Sequence, residues 1–529
     1  MTRLWSIIVW IAIASGGAGA FAVLALSRGE RVSAIWMLVA AICTYAVGYR
    51  FYSRIIARNI FALDDARPTP AVRLEDGHDY VPTNRWVVFG HHFAAIAGAG
   101  PLVGPILAAQ FGYLPGTIWI IVGVVLAGAV QDLVILCASM RRDGKSLAQM
   151  AREEIGRPAG WIALLSILGI ILILIAFLAL VVVQALAKSP WGTVTIALTI
   201  PIAVLMGFWM RWLRPGRVLE ASMIGVALLI ASLFVGRWVA ADPARAAAFT
   251  FSATHMAWMV LAYGFVAAVL PVWMLLAPRD YLSAFVKVGT VALLAVGIVL
   301  VMPDLRMPAI NPLCVGDGAW ATGTGPVVKG TIFPFCFITI ACGAISGFHA
   351  LVASGTTPKL IERESQAPMI GYGGMLMESF VAVMAMVAAC SLEPGIYFAM
   401  NSGQFKGMTN DLPQVASTIN GWIGAWSATV SAQDLENAAR EVGETTVVSR
   451  VGGAPTLAVG MAKIFSNAFG GGGTAIWYHF AILFEALVIL TTIDAGTRVG
   501  RFLFQELVGH VWKPLGRLSS LPGVLLCSA

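Results

Sequence analysis

The chain has 529 residues, with 34 Lys and Arg against 27 Asp and Glu, and a mean hydropathy of +0.83. Apolar residues make up 59% and charged residues 12%, about half the ~25% charged content of a soluble domain. That balance excludes a water-soluble protein, a disordered chain, collagen and a coiled coil. The net charge of +7 is carried by Lys and Arg scattered between apolar runs, which fits short cytoplasmic loops of a membrane protein and not a nucleic-acid surface. The seven cysteines contain no C-x-x-C pair and lie mostly in apolar runs, so they read as small core residues. Neither a metal framework, a disulfide scaffold nor a cofactor is expected.

A helix needs ~20 apolar residues to cross a ~30 Å hydrocarbon core. On that criterion the predicted fold is all-α, a polytopic transmembrane bundle of twelve spans. In chain order they are 4–26, 33–51, 88–112, 114–139, 158–187, 191–210, 219–239, 255–277, 284–302, 332–353, 369–391 and 474–495. The first could be a signal peptide by its small residues near Ala20, but the run is longer than a typical signal core and reads as a span. Residues 454–468 are apolar but only 15 long, contain Lys463 and run into four glycines at 470–473. They read as a half-helix or re-entrant segment. With twelve spans both termini share one side, and 23 of the 34 Lys and Arg fall on it, the asymmetry expected of the cytoplasmic face. Arg279, in the loop between the eighth and ninth spans, and Lys287, at the start of the ninth, are counted there. Two long outward loops follow, 303–331 and 392–453, and the second holds a polar stretch of helical composition at 433–445.

Enzyme signatures are absent, and no enzymatic activity is expected. Asp143-Gly144-Lys145-Ser146 resembles the end of a phosphate-binding loop, but Ser139 stands where that loop needs its first glycine. The chemistry lies in polar and helix-breaking residues inside spans, which are tolerated only where backbone is buried or lines a cavity. The third span carries His91, His92, Gly98, Gly100, Pro101, Gly104 and Pro105, and Pro removes a backbone donor and clashes with the preceding turn. This span is expected to break near residues 98–101, leaving half-helix ends that bind ions or anions. The plain alternative is a glycine-rich packing face. The tenth span ends in Ser346, His349, Ser354, Gly355, Thr356 and Thr357, groups suited to a hard cation or a carboxylate, unless the hydroxyls merely bond their own helix carbonyls. Glu378 and Glu485 sit mid-span and are candidates for substrate or ion binding. Asp132 and Asp494, near span ends, read as structural. So does Arg279-Asp280, taken to close the eighth span as a charged lock at a tight inner turn.

These residues resemble the carbon starvation protein A family. The resemblance is carried by Asn84-Arg85-Trp86 through Pro105, by Leu270-Pro271-Val272-Trp273 with Pro278-Arg279-Asp280-Tyr281, by Ser346-Gly347-Phe348-His349 with Ser354 to Pro358, and by Trp477-Tyr478-His479-Phe480 with Thr492 to Arg498. It covers about residues 30–510. It implies a multi-pass secondary transporter of the cell inner membrane, used in carbon starvation, that imports peptides or, in one branch, pyruvate with protons. It also implies the inverted-repeat core of the amino acid–polyamine–cation transporters. On that analogy 88–112 is the first broken helix and 255–277 its partner, with Tyr263, Gly264 and Pro271 near the break. The Ser346–Thr357 segment then faces the first broken helix, where a coupling cation binds. Family members carry several more spans after the region of Asp494, so residues 511–529 read as a shortened cytoplasmic tail. If the repeats end before residue 500 the transport core survives; otherwise the chain is inactive. The competing reading is a membrane sensor without transport, which would need an output domain that no segment supplies. The partners implied are a small-molecule substrate, a coupling proton or cation and membrane lipid. Among the site candidates His91, His92 and His349 stand out, because imidazole changes charge between about pH 5 and 8.

Overall fold

In lipid every backbone N–H and C=O must be satisfied within the chain, so apolar runs become helices. A computed structural model describes residues 32–529, apart from 188, 410, 427, 445, 471, 472, 518 and 519. The span expected at 4–26 lies outside the described residues. Among those described, nine helices are long and apolar enough to cross a membrane, and a bent pair makes a tenth. No strand forms among them, only two isolated bridges.

The helices are α1 (Ile35–Ile60), α2 (Arg85–Ile96), α3 (Gly100–Phe111), α4 (Tyr113–Met140), α5 (Arg157–Leu186) and α6 (Pro190–Leu213). There follow α7 (Val218–Ala240), α8 (Ala253–Val269), α9 (Leu276–Val301), α10 (Phe337–Ala344), α11 (Gly347–Gly355) and α12 (Gly373–Cys390). Next come α13 (Ala432–Val442), α14 (Ala454–Phe469) and α15 (Thr474–Val511), and a short helix at Leu521–Ser528 follows them. Ten of the eleven spans expected on described residues coincide with these crossings.

The eleventh needs correction. The expected span 255–277 stops at Val269, and the next helix starts at Leu276. Pro271 cannot continue a helix and drives Leu270 extended, at φ −64°, ψ 150°. Pro278 falls in the first turn of α9, where its missing N–H costs nothing. Arg279 and Lys287 therefore leave the inward face to which the charge count assigned them; both are buried within α9. The last span also runs past the expected 495 to Val511, so Arg498 and Arg501 lie on a helix and not in a tail.

Burial sorts the helices. The most apolar window of α5 is 28% buried, whereas that of the span ending in α12 is 83% buried. So α5 faces lipid and α12 forms the centre. The loops meet at two ends. At one, Arg141 bonds Glu364, Tyr80 bonds the Asp143 carbonyl and Ser146 bonds Glu506. These are all segments that the charge count put on the cytoplasmic side. At the other, Asn311 and Val328 meet Gln110, and the Ala34 amide bonds the Pro303 carbonyl. The polar stretch at 433–445 forms α13, whose Ser431 and Asp434 cap it reciprocally and whose Gly443 ends it in the left-handed region. The half-helix expected at 454–468 is α14, with 16 residues, too few for a crossing.

Asp79, on the loop between α1 and α2, ties that loop to α15. Its carboxylate accepts from Arg498 at 2.8 Å and from Arg501 at 3.0 Å. Burial alone would push its carboxyl up, but the His78 contact and the two guanidinium charges outweigh it and hold the group well below the usual carboxylate range. A depressed carboxylate stabilises the fold above its unfolded pKa of ~3.9, and the stabilisation fades as pH falls below that value. Asp79→Asn is expected to cost about 3–5 kcal/mol by leaving two buried cations uncompensated. Unfolding monitored from pH 7 to 3 should show the variant losing much less of its stability on acidification than the parent.

Candidate functional site at two broken helices

Asn84 starts α2 by accepting from the Trp86 amide at 3.0 Å. The helix ends at Ile96, and α3 resumes at Gly100 after a 43° bend. The interruption predicted near residues 98–101 is therefore present, at Ala97–Ala99. Pro101 sits in the first turn of α3. The glycines around the break allow close approach. A Cβ on Gly98 would stand 2.6 Å from Thr492 Oγ1, and one on Gly100 would stand 2.4 Å from Cys342 Sγ. Both thus act by packing. The predicted tenth span is interrupted too. Ile345 and Ser346 are extended between α10 and α11, and the freed Ser346 carbonyl accepts from Gln131 at 2.6 Å.

Three imidazoles lie at these breaks, each fully buried. His91 Nδ1 stands 2.7 Å from Asp280 Oδ2, with its Nε2 3.3 Å from Thr356 Oγ1. His92 Nδ1 is 2.9 Å from Thr357 Oγ1, and its Nε2 is buried with no hydrogen-bond partner among the described residues. His349 lies between two carboxylates, Asp132 at 3.2 Å on Nδ1 and Glu378 at 3.0 Å on Nε2. The two adjacent His of α2 thus reach the two adjacent Thr that follow α11, which joins the two sequence segments into one site. Ser346 approaches Cys342 Sγ at 3.6 Å. The Ser354 hydroxyl instead bonds the Ala350 carbonyl four residues back, the plain alternative for that residue.

A second buried cluster joins three helices. Arg279 contacts both Asp494 and Tyr263, and the Tyr263 hydroxyl donates to Asp494 Oδ2 at 2.7 Å. Beside it, Lys287 donates to the Ala94 carbonyl at 2.6 Å, the Ala97 carbonyl at 2.8 Å and Thr491 Oγ1 at 2.9 Å. Glu485 is buried, and among the described residues its Oε1 has no hydrogen-bond partner and its carboxyl joins neither the His contacts nor the Arg279 cluster. One atom each from Cys342, His349 and Glu378 lie within 4.8 Å of one another, a spacing a metal ion could span. A cavity of about 600 Å³ opens elsewhere, between Asp304, Arg306, Glu393, Glu441 and Lys463 at the end of the long loops. The buried cluster is the stronger candidate site, since titratable groups and helix breaks converge there and not in that surface cleft.

Sequence reasoning missed the partners. Asp132 was read as structural and proves to hold His349. Asp280 was assigned to a turn, Lys287 was counted only as an inward-facing charge at the start of the ninth span, and the two prove to hold His91 and the first break. The available signal was Pro278, which opens a helix more readily than it closes one.

The chain matches the family model for carbon starvation protein CstA over residues 33–529. It is 55% identical over 530 residues to the peptide transporter CstA of Campylobacter jejuni, covering 100% of this chain and 74% of that protein. It is 54% identical to the peptide transporter CstA of Escherichia coli K12, over 100% of this chain and 75% of the other. It is also 50% identical to the pyruvate/proton symporter BtsT of the same organism, again over 100% of this chain and 75% of that protein. Nine membrane-length apolar helices and a bent pair among the described residues, buried imidazoles at two helix breaks and this extent of identity agree: the chain is a multi-pass membrane protein and belongs to the carbon starvation protein CstA family.

Proposed function

We propose that this chain is a secondary active transporter that brings a peptide or pyruvate into the cell together with a proton, across the inner (plasma) membrane and with both termini in the cytoplasm, as part of the response to carbon starvation. The observation that carries the reading is the meeting of His91, His92 and His349 with Thr356, Thr357, Asp132 and Glu378 at two interrupted helices. Interrupted helices offer unpaired backbone ends to a charged substrate or ion. Imidazoles among carboxylates can exchange protons near neutral pH. A carboxylate substrate entering alone against the membrane potential costs ~2.3 kcal/mol per 100 mV, and a co-transported proton removes that cost. At least one of the three His controls the pH dependence of uptake. Relatives named as peptide transporters and as a pyruvate/proton symporter support both candidate substrates, and their names fit a protein that is not an enzyme.

The purified chain in proteoliposomes is the test. Counterflow of labelled pyruvate or of labelled dialanine is expected, with accumulation under an inward proton gradient. A folded protein that moves neither compound, by counterflow or under any ion gradient, would end the transporter reading.

A further inference from the structure

We propose that Lys287 is a built-in cation at the first helix break, that its ammonium takes the place a bound monovalent metal ion would occupy, and that its proton is the coupling ion. The inference rests on the transporter reading above and deepens it, because it separates proton from sodium coupling. The break at Ala97–Ala99 leaves helix carbonyls without amide partners. Carbonyl oxygens at such unwound ends coordinate Na⁺ or H⁺ in discontinuous-helix transporters. Here two of them, Ala94 O and Ala97 O, together with Thr491 Oγ1, surround Lys287 Nζ at 2.6–2.9 Å.

The stoichiometry identifies the charged form. An ammonium has three N–H donors and no acceptor, and three acceptors surround it. A neutral amine has two donors, so one carbonyl would lose its partner and the clamp between α2, α9 and α15 would loosen. Thr491 can still serve as acceptor because its own hydroxyl is spent on the Val488 carbonyl at 2.8 Å. The residue is 1% exposed, and among the described residues no carboxylate pairs with it directly. Its charged neighbours stand on its own helix and on α12 and α15. Arg279 and Asp280 lie on its own helix, Glu378 on α12 and Asp494 on α15. On α2, His91 and His92 stand one turn before Ala94, with His91 already paired to Asp280.

Gain or loss of one proton at Nζ therefore makes or breaks a clamp across the first broken helix. The proton leaves Nζ to water on the side of low proton activity and is replaced from water on the other side; no other bond changes. While the ammonium is in place, the same carbonyls are closed to Na⁺ by occupancy and by like charge.

Lys287→Gln and Lys287→Arg in proteoliposomes test this, with labelled pyruvate and labelled dialanine as probes. Gln keeps a donor without a titratable proton, and Arg keeps the charge without releasing it. The parent is expected to accumulate a substrate under a proton gradient and to ignore a sodium gradient. Each folded variant is expected to lose gradient-driven accumulation, and the counterflow that remains should no longer vary with pH. If either variant still concentrates substrate under a proton gradient, Lys287 is not the carrier. If a sodium gradient drives the parent, the site is not closed to Na⁺ and the proposal fails. If both variants fold but lose counterflow as well, Lys287 is a structural peg and the proposal also fails. Should Gln prevent folding, the Arg variant alone decides. A parent that shows no counterflow would instead refute the transporter reading, so the two failures are distinct.

Discussion

Arg279→Met is expected to destabilise the protein by about 3–5 kcal/mol, the loss that follows when one member of a buried ion pair is removed and the other stays charged in the interior. Arg279 and Asp494 are 1% and 0% exposed, and Tyr263 donates to the same carboxylate oxygen. This cluster ties α8, α9 and α15 together at the point where α8 has ended and α9 begins. Lipid offers the orphaned Asp494 no water to recover into. The double change Arg279→Met with Asp494→Leu should recover part of the loss, since a packed apolar pair carries no desolvation penalty. Thermal unfolding of the detergent-solubilised protein, or graded denaturation in mixed micelles, measures both. A single variant as stable as the parent would mean that the pair adds nothing to the fold.

His349→Gln is expected to change the pH profile of transport, with an effect on the order of 10²-fold at the pH where the parent is most active, the scale of losing a positioned proton-transfer group. The imidazole stands between Asp132 and Glu378, and Gln keeps size and hydrogen bonding while removing titration. The two carboxylates then face each other without a shared proton donor, which penalises any state with both ionised. The consequence should appear in counterflow as well as in gradient-driven uptake, because the group acts at the site and not on the coupling. That separates it from Lys287, whose replacement should abolish the response to a proton gradient. Unchanged pH profiles in Gln variants of His349, His91 and His92 would move the role to Glu378 and Glu485.

The sequence alone determined the membrane architecture, because that signal is additive. Each crossing needs only its own run of apolar residues, so the helices at 114–139, 158–187, 191–210, 219–239 and 369–391 were legible within a few residues. The break in the third span was legible for a local reason: Pro101 lacks an N–H and clashes with the preceding turn, so a helix restarts there more readily than it continues. His91, His92 and His349 were singled out because a buried titratable group is costly wherever it lies.

What the chain could not state was pairing. Asp132 and His349 are 217 residues apart, and His91 and Asp280 are 189 apart; which groups meet depends on how α2, α9, α11 and α12 pack. The misplaced end of the eighth span shows the limit most plainly. Composition counts a charge as evidence of the membrane edge, so Arg279 and Asp280 were read as an inner turn and Lys287 as an inward-facing charge at the start of the ninth span. Only the tertiary structure supplied the Asp494 carboxylate, the His91 imidazole and the two carbonyls of the first break. Those partners make it possible to bury three charged side chains in the centre of the bundle, and partners brought together from distant helices leave no mark on the local sequence.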